Sequence, residues 1–166
     1  MSILIVYAGK YGSCAKCAEM LAKLLPRCEI VNLKERKHPD ISKYECIIVG
    51  GNIRYGLLNR PVKNFILHNV QALRAKISAY FICCGFPKSA KQYFNTNFPK
   101  IALEHACAKE CFGGELKPDL MTRFDRFVLK AVTSNTEIKK ESKLPEIDEE
   151  AVLRLANAVK AKLKME

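Results

Sequence analysis

Three glycine-bearing stretches have the residue types that cradle a phosphorylated ligand. Ala8-Gly9-Lys10-Tyr11-Gly12-Ser13-Cys14 follows one apolar run, Gly50-Gly51-Asn52-Ile53-Arg54-Tyr55-Gly56 follows another, and Cys84-Gly85-Phe86 opens a third stretch, 84–91. The first suits a phosphate dianion best. A turn built on Gly9 and Gly12, running into a helix, aims unpaired backbone N–H groups and the helix dipole at one spot. Ser13 and Lys10 add a hydroxyl and a cation. In the second stretch Arg54 suits a developing negative charge and Tyr55 offers an aromatic face. The chemistry that fits is that of a nucleotide-type cofactor. A rival is written into the same place: Cys14-Ala15-Lys16-Cys17 opens a helix, where a dithiol would have a low-pKa leading sulfur.

The elements that must position these loops read as an alternation. Apolar runs at Ser2–Tyr7, Glu29–Leu33, Tyr44–Gly50 and Ile77–Cys84 predict strands, and Glu110–Leu116 predicts a last one. Between them, periodic segments predict helices over about Ser13–Leu25 and from Asn59-Arg60-Pro61 through Val62, Phe65, Ile66 and Val70. Asn59 reads as the N-cap, with proline in the first turn. Two short helical pieces follow, near Ala90–Phe94 and Pro99–Ala108, and a final helix runs from Pro145 to about Lys164 with Val152, Leu155, Ala156 and Val159 inward. Strands with near-continuous apolar runs are covered on both faces, so the fold class is α/β with a doubly wound parallel sheet. Residues 1–166 form one domain on this reading, with a late insertion, 117–145, before the last helix.

Composition narrows the function classes. The apolar fraction is 49%, ordinary for a globular chain, and no run approaches the ~18 apolar residues of a membrane span. Met1-Ser2 offers no basic region ahead of the first apolar run, so a cytoplasmic protein is expected. Most of the eight cysteines sit in apolar patterns and read as small core residues. No metal site is expected. The net charge is +11, yet no Asp or Glu occurs between Glu45 and Glu104, where average usage gives roughly six acids. That acid-free stretch spans the second and third loops and favours anionic ligands or an anionic surface. No nucleic-acid recognition pattern is present. His38, His68 and His105 lie off the loops, and no catalytic acid or base is assigned.

The chain resembles the flavodoxin-like proteins, and within them the quinone-dependent protoporphyrinogen dehydrogenases. Gly51-Asn52-Ile53-Arg54-Tyr55-Gly56 is similar to that subfamily's SIRYG loop, and Phe124-Asp125-Arg126-Phe127-Val128-Leu129-Lys130 to its YDRFMIK segment in the insertion. The resemblance implies a five-stranded sheet of order 2-1-3-4-5. It also implies FMN against the loops after strands 1, 3 and 4, held by 8–14 (Ala8 to Cys14), 51–56 (Gly51 to Gly56) and 84–86 (Cys84, Gly85, Phe86). Arg54 would face the flavin N1–C2=O side, and Tyr55 and Phe86 would flank the ring. The implied activity is protoporphyrinogen oxidation with a quinone acceptor. The alternatives are an electron-transfer flavodoxin serving a redox partner protein, and the dithiol protein above. Leu120–Val132 sets Phe124, Phe127, Val128 and Ala131 on one side beside Arg123, Arg126 and Lys130. Three uses are open to it: peripheral contact with the inner face of a membrane, binding of a porphyrin's propionate groups, or packing against the sheet edge.

Overall fold

The computed structural model describes residues 2–114, 119, 121–134 and 146–164. The strands are β1 (Ile3–Ala8), β2 (Cys28–Asn32), β3 (Cys46–Arg54), β4 (Leu57–Leu58), β5 (Ile77–Cys83) and β6 (Ala108–Cys111). The helices are α1 (Ser13–Leu24), α2 (Arg60–Ala75), α3 (Ala90–Asn97), α4 (Lys100–His105), α5 (Arg123–Thr133) and α6 (Glu149–Lys162). Strands pair in the order β2-β1-β3-β5-β6, all parallel, and β4 hangs antiparallel from β3. Without β4 this is the expected order 2-1-3-4-5.

Alternation along each strand divides the core into two layers. Leu4, Val6, Ile47, Val49, Tyr80 and Ile82 pack with Val62, Phe65 and Ile66 of α2 and with Phe94 and Ala102 of α3 and α4. Ile3, Ile5, Ile48, Ala79 and Phe81 face the other way, against Leu21 of α1 and Val152, Leu155 and Val159 of α6. This two-sided burial is why the strands read as continuous apolar runs. α6 begins at Glu149, later than the predicted start at Pro145, because Ile147 still bridges to Gly113; Asp148 is the N-cap, accepting from the Ala151 N–H at 3.0 Å.

Three further expectations are corrected. β3 does not end at Gly50 but continues through Arg54, because Asn52 still pairs with Cys83 and Arg54 pairs back with Leu57 of β4. The last strand lies at Ala108–Cys111, earlier than Glu110–Leu116, since its register against β5 starts at Ala79↔Ala108 and β5 runs out four residues on. The third correction concerns Asn59. It precedes α2 as predicted but makes no side-chain cap: its Nδ2 donates to the Ala8 carbonyl and to Asn52, and its Oδ1 is left buried with no partner. Leu116, Leu120, Pro145 and much of the 117–145 insertion lie outside the described residues.

Candidate functional site at the carboxyl edge of the sheet

The first loop leaves β1 at Ala8 and enters α1 through Gly12, whose φ of 92° only glycine adopts without strain. Gly12 brings no side-chain cap, so the first-turn N–H groups of α1 receive no N-cap acceptor. The side chains of Ala8 and Cys14 are buried in the core. What the loop offers an anion therefore comes from backbone amides, Ser13, Lys10 and Tyr11. Neighbouring segments fix its shape: Lys34 Nζ donates to the Gly9 carbonyl, and Asn59 Nδ2 donates to the Ala8 carbonyl and, at 2.7 Å, to Asn52 Oδ1. Asn59 thus ties the first loop to β3.

The second loop is a tight hairpin. Tyr55 (φ 53°) and Gly56 (φ 76°) form its two-residue turn, the doubly left-handed turn that matches strand twist. Asn97 of α3 holds it. Its Oδ1 accepts from the Leu58 N–H at 2.9 Å and its Nδ2 donates to the Gly56 carbonyl at 2.9 Å. The glycines before the hairpin have a packing reason. A Cβ on Gly50 would lie 1.8 Å from the Phe81 ring, and one on Gly51 would lie 2.7 Å from Leu58 Cδ1. In the third loop Cys84 is buried and Phe86 exposed, and nothing lies within 4 Å of the place a Cβ on Gly85 would occupy.

The two first loops meet at a residue outside the predicted site. Asp125 of α5, only 5% exposed, accepts from Lys10 Nζ at 2.9 Å and Arg54 Nε at 3.0 Å, and from the hydroxyls of Tyr11 and Tyr55. Burial alone would push this carboxyl up. The bonds from Tyr11, Tyr55, Lys10 and Arg54 outweigh it and hold Asp125 well below the usual carboxylate range. The same carboxylate raises Lys10 and Arg54, and Tyr55 is raised by its bond to Asp125. α5 starts immediately before: Thr122 Oγ1 accepts from the Asp125 N–H at 3.2 Å. The signal that marked Asp125 was its place in the Phe124–Lys130 motif, although no role was assigned to it there.

Phe124 and Phe127 are 63% and 69% exposed. Phe124, Phe127 and Ala131 of α5 therefore face out, Val128 is half-buried, and Asp125 is buried. Tyr55 sits edge-on to Phe124, with ring centroids 6.1 Å apart. The dithiol reading loses its nucleophile, since Cys14 and Cys17 are 1% and 0% exposed.

A family model of the flavodoxin domain matches residues 4–143. The chain belongs to the flavodoxin family. No curated protein sequence matches it. Among solved structures it is similar to a WrbA-like flavodoxin from Agrobacterium tumefaciens, with TM-score 0.56, 14% identity and full coverage of both chains. A flavodoxin from the domain Archaea gives TM-score 0.52 at 16% identity, covering 96% of this chain and 99% of the other. Rubredoxin oxygen:oxidoreductase from the anaerobe Desulfovibrio gigas gives TM-score 0.51 at 18% identity over 98% of this chain, which spans 37% of that one. At these identities the likeness is one of fold.

In flavodoxin-type sheets FMN binds at the switch point between β1 and β3, and FMN is the cofactor of this flavodoxin-family chain. The residues present fit it. The uncapped first turn of α1 supplies amides for a phosphate, the bare backbone at Gly85 leaves room for close approach, and Tyr55 and Phe86 are exposed aromatics at the ends of β3 and β5.

Proposed function

We propose that this flavodoxin-family protein is an FMN-dependent oxidoreductase of the protoporphyrinogen-dehydrogenase type, delivering electrons to a quinone. One observation supports this reading above the others. The two motifs on which the resemblance rests, Ile53–Gly56 and Phe124–Lys130, are far apart in sequence yet joined by the Arg54–Asp125 and Tyr55–Asp125 bonds. A plain electron shuttle gives no reason for a late insertion to reach back onto the cofactor loops.

When bound, FMN supplies the hydride and electron chemistry. The protein's residues bind and orient. The amides of 9–14 with Ser13 would hold the phosphate. Residues 51–56 and 84–86 would line the ring, with Tyr55 and Phe86 as flanking aromatics. Arg54, kept in place by Asp125, sets a fixed positive charge beside the ring site and favours negative charge there. Around it the chain runs without an acid from Glu45 to Glu104, which suits an anionic substrate such as a porphyrin carboxylate.

α5 is the proposed membrane contact. Its exposed Phe124 and Phe127 lie beside exposed Arg123, Arg126 and Lys130, the pattern of a helix lying on an anionic bilayer where a quinone is reached. No described helix is long and apolar enough to cross a membrane.

The test is direct. Purified protein loaded with FMN, under anaerobic conditions, should oxidise protoporphyrinogen with menadione as acceptor and show flavin bands near one per chain. Flavin binding with reduction of a protein acceptor only, and no quinone-dependent porphyrin formation, would favour the electron-transfer flavodoxin instead. Absence of flavin binding would end both readings.

A further inference from the structure

Two thiols at the end of the sheet lie within reach of each other, one of them in the 84–86 loop, and no role has been given to their sulfur chemistry. Cys84 Sγ and Cys111 Sγ are 3.3 Å apart. Ile82 is in register with Cys111, and the Cys84 N–H continues the ladder to the Gly113 carbonyl at 2.8 Å. The two cysteines are therefore diagonal neighbours on one face of adjacent parallel strands. Cys84 is buried and Cys111 half-buried, so only the second is open to a small reagent.

We propose that Cys84 and Cys111 form an oxidisable dithiol that closes to a disulfide on exposure to a peroxide, stapling the first residue of the 84–86 loop to β6. Cys111 Sγ, as thiolate, attacks one peroxide oxygen. The O–O bond breaks, the departing hydroxide takes a proton to become water, and Cys111 becomes a sulfenic acid. Cys84 Sγ then attacks the Cys111 sulfur, the S–O bond breaks, and a second water leaves with the Cys84 thiol proton. Two thiols are oxidised by two electrons and one peroxide is reduced to two waters.

The division of roles follows from the surroundings. The hydrogen bond between the two sulfurs, with burial adding to it, pushes the Cys84 thiol up, and the same bond pulls the Cys111 thiol down. The partner that stays protonated is the sheltered one. A second close pair, Cys17 and Cys83 with Sγ atoms 3.8 Å apart, lies on the opposite face of the sheet, and both members are sealed in the core. No peroxide reaches it while the fold is intact. The inference does not depend on the flavin reading.

Treating the reduced full chain with hydrogen peroxide should remove two of its eight thiols. Proteolysis without reductant should then yield one crosslinked species, two hydrogens lighter than the sum of the peptide holding Cys83 and Cys84 and the peptide holding Cys111. Cys84→Ser should abolish the crosslink and leave Cys111 labelled by dimedone. Cys83→Ser should keep the crosslink, which excludes its neighbour as the partner and serves as the folded control. Retention of all eight thiols by the wild-type protein at peroxide levels that oxidise free cysteine would overturn the proposal. So would a crosslink that survives Cys84→Ser, or one that joins Cys17 to Cys83.

Discussion

Asp125 shows how much one carboxylate can organise. Its four donors come from two loops, and two of them are cations that remain partly exposed. Asp125→Asn keeps the size and removes the charge. It should lower stability by about 1.5–3 kcal/mol, the range for a hydrogen bond to a charged group, read from the urea midpoint. An unchanged midpoint would mean that the donors are satisfied equally well by water. Acid should produce the same effect. The folded-state pKa of Asp125 is depressed, so its contribution is whole above the unfolded value of about 3.9 and is lost as pH falls from there toward the lower folded value. Glu29, lowered to about 2 chiefly by Tyr44 and then Arg36, titrates in the same direction. A stability curve flat from about pH 5 down to pH 2 would contradict both. Gly50 makes the opposite point about legibility. Its glycine reads as a ligand-loop residue in the sequence, but the Phe81 ring fills the space of a Cβ. Gly50→Ala should cost about 1–3 kcal/mol or more by overpacking, whether or not a cofactor is bound, with the thermal midpoint as readout.

At the scale of elements, the hairpin and α5 are where sequence and structure part. The β3–β4 turn was legible only as a glycine-containing loop. Nothing in Asn52–Leu58 alone says that Asn97, a distant residue on α3, will satisfy the Gly56 carbonyl and the Leu58 N–H. Gly56→Ala places a Cβ at φ 76° and should destabilise by about 1 kcal/mol. A substitution that leaves the urea midpoint unmoved would mean that the turn has relaxed to another type. For α5 the 3.6-residue period was readable, but the direction of its apolar side was not. Cations flank Phe124 and Phe127 whether they point in or out. What decides is Asp125, whose four donors draw its own side of the helix inward. Phe127→Ser should reduce cosedimentation with vesicles rich in phosphatidylglycerol several-fold and leave binding to neutral vesicles unchanged. Equal pelleting of wild type and variant would remove α5 as the contact.

For the whole molecule, the parallel sheet and its helices on both faces were plain in the sequence. Runs such as Cys46–Val49 and Ala79–Ile82 have room for no polar face, and only a doubly covered strand tolerates that. The limits of β6 were not legible, because pairing with β5 decides them and the local sequence does not. Nor was the meeting of Lys10, Arg54 and Asp125, which needs the tertiary path of the insertion. The chain's net charge of +11 and its acid-free stretch between Glu45 and Glu104 yield a further expectation. FMN affinity should weaken as sodium chloride is raised from about 50 to 500 mM, as for any anion drawn partly by unscreened surface charge. A dissociation constant that does not move would place its recognition in the amides alone.

The grip of Asp125 on Lys10 and Arg54 has one more consequence. The helix already presents an internal anion to the cations that an incoming anion would seek. A guest that draws either cation away competes with Asp125 for it, and linkage makes that trade reciprocal. Whatever tightens that guest loosens α5 by the same factor, and whatever seats α5 on a surface alters the welcome the guest receives. Amide exchange across Arg123–Thr133, with and without inorganic phosphate, would register the exchange of one anion for another.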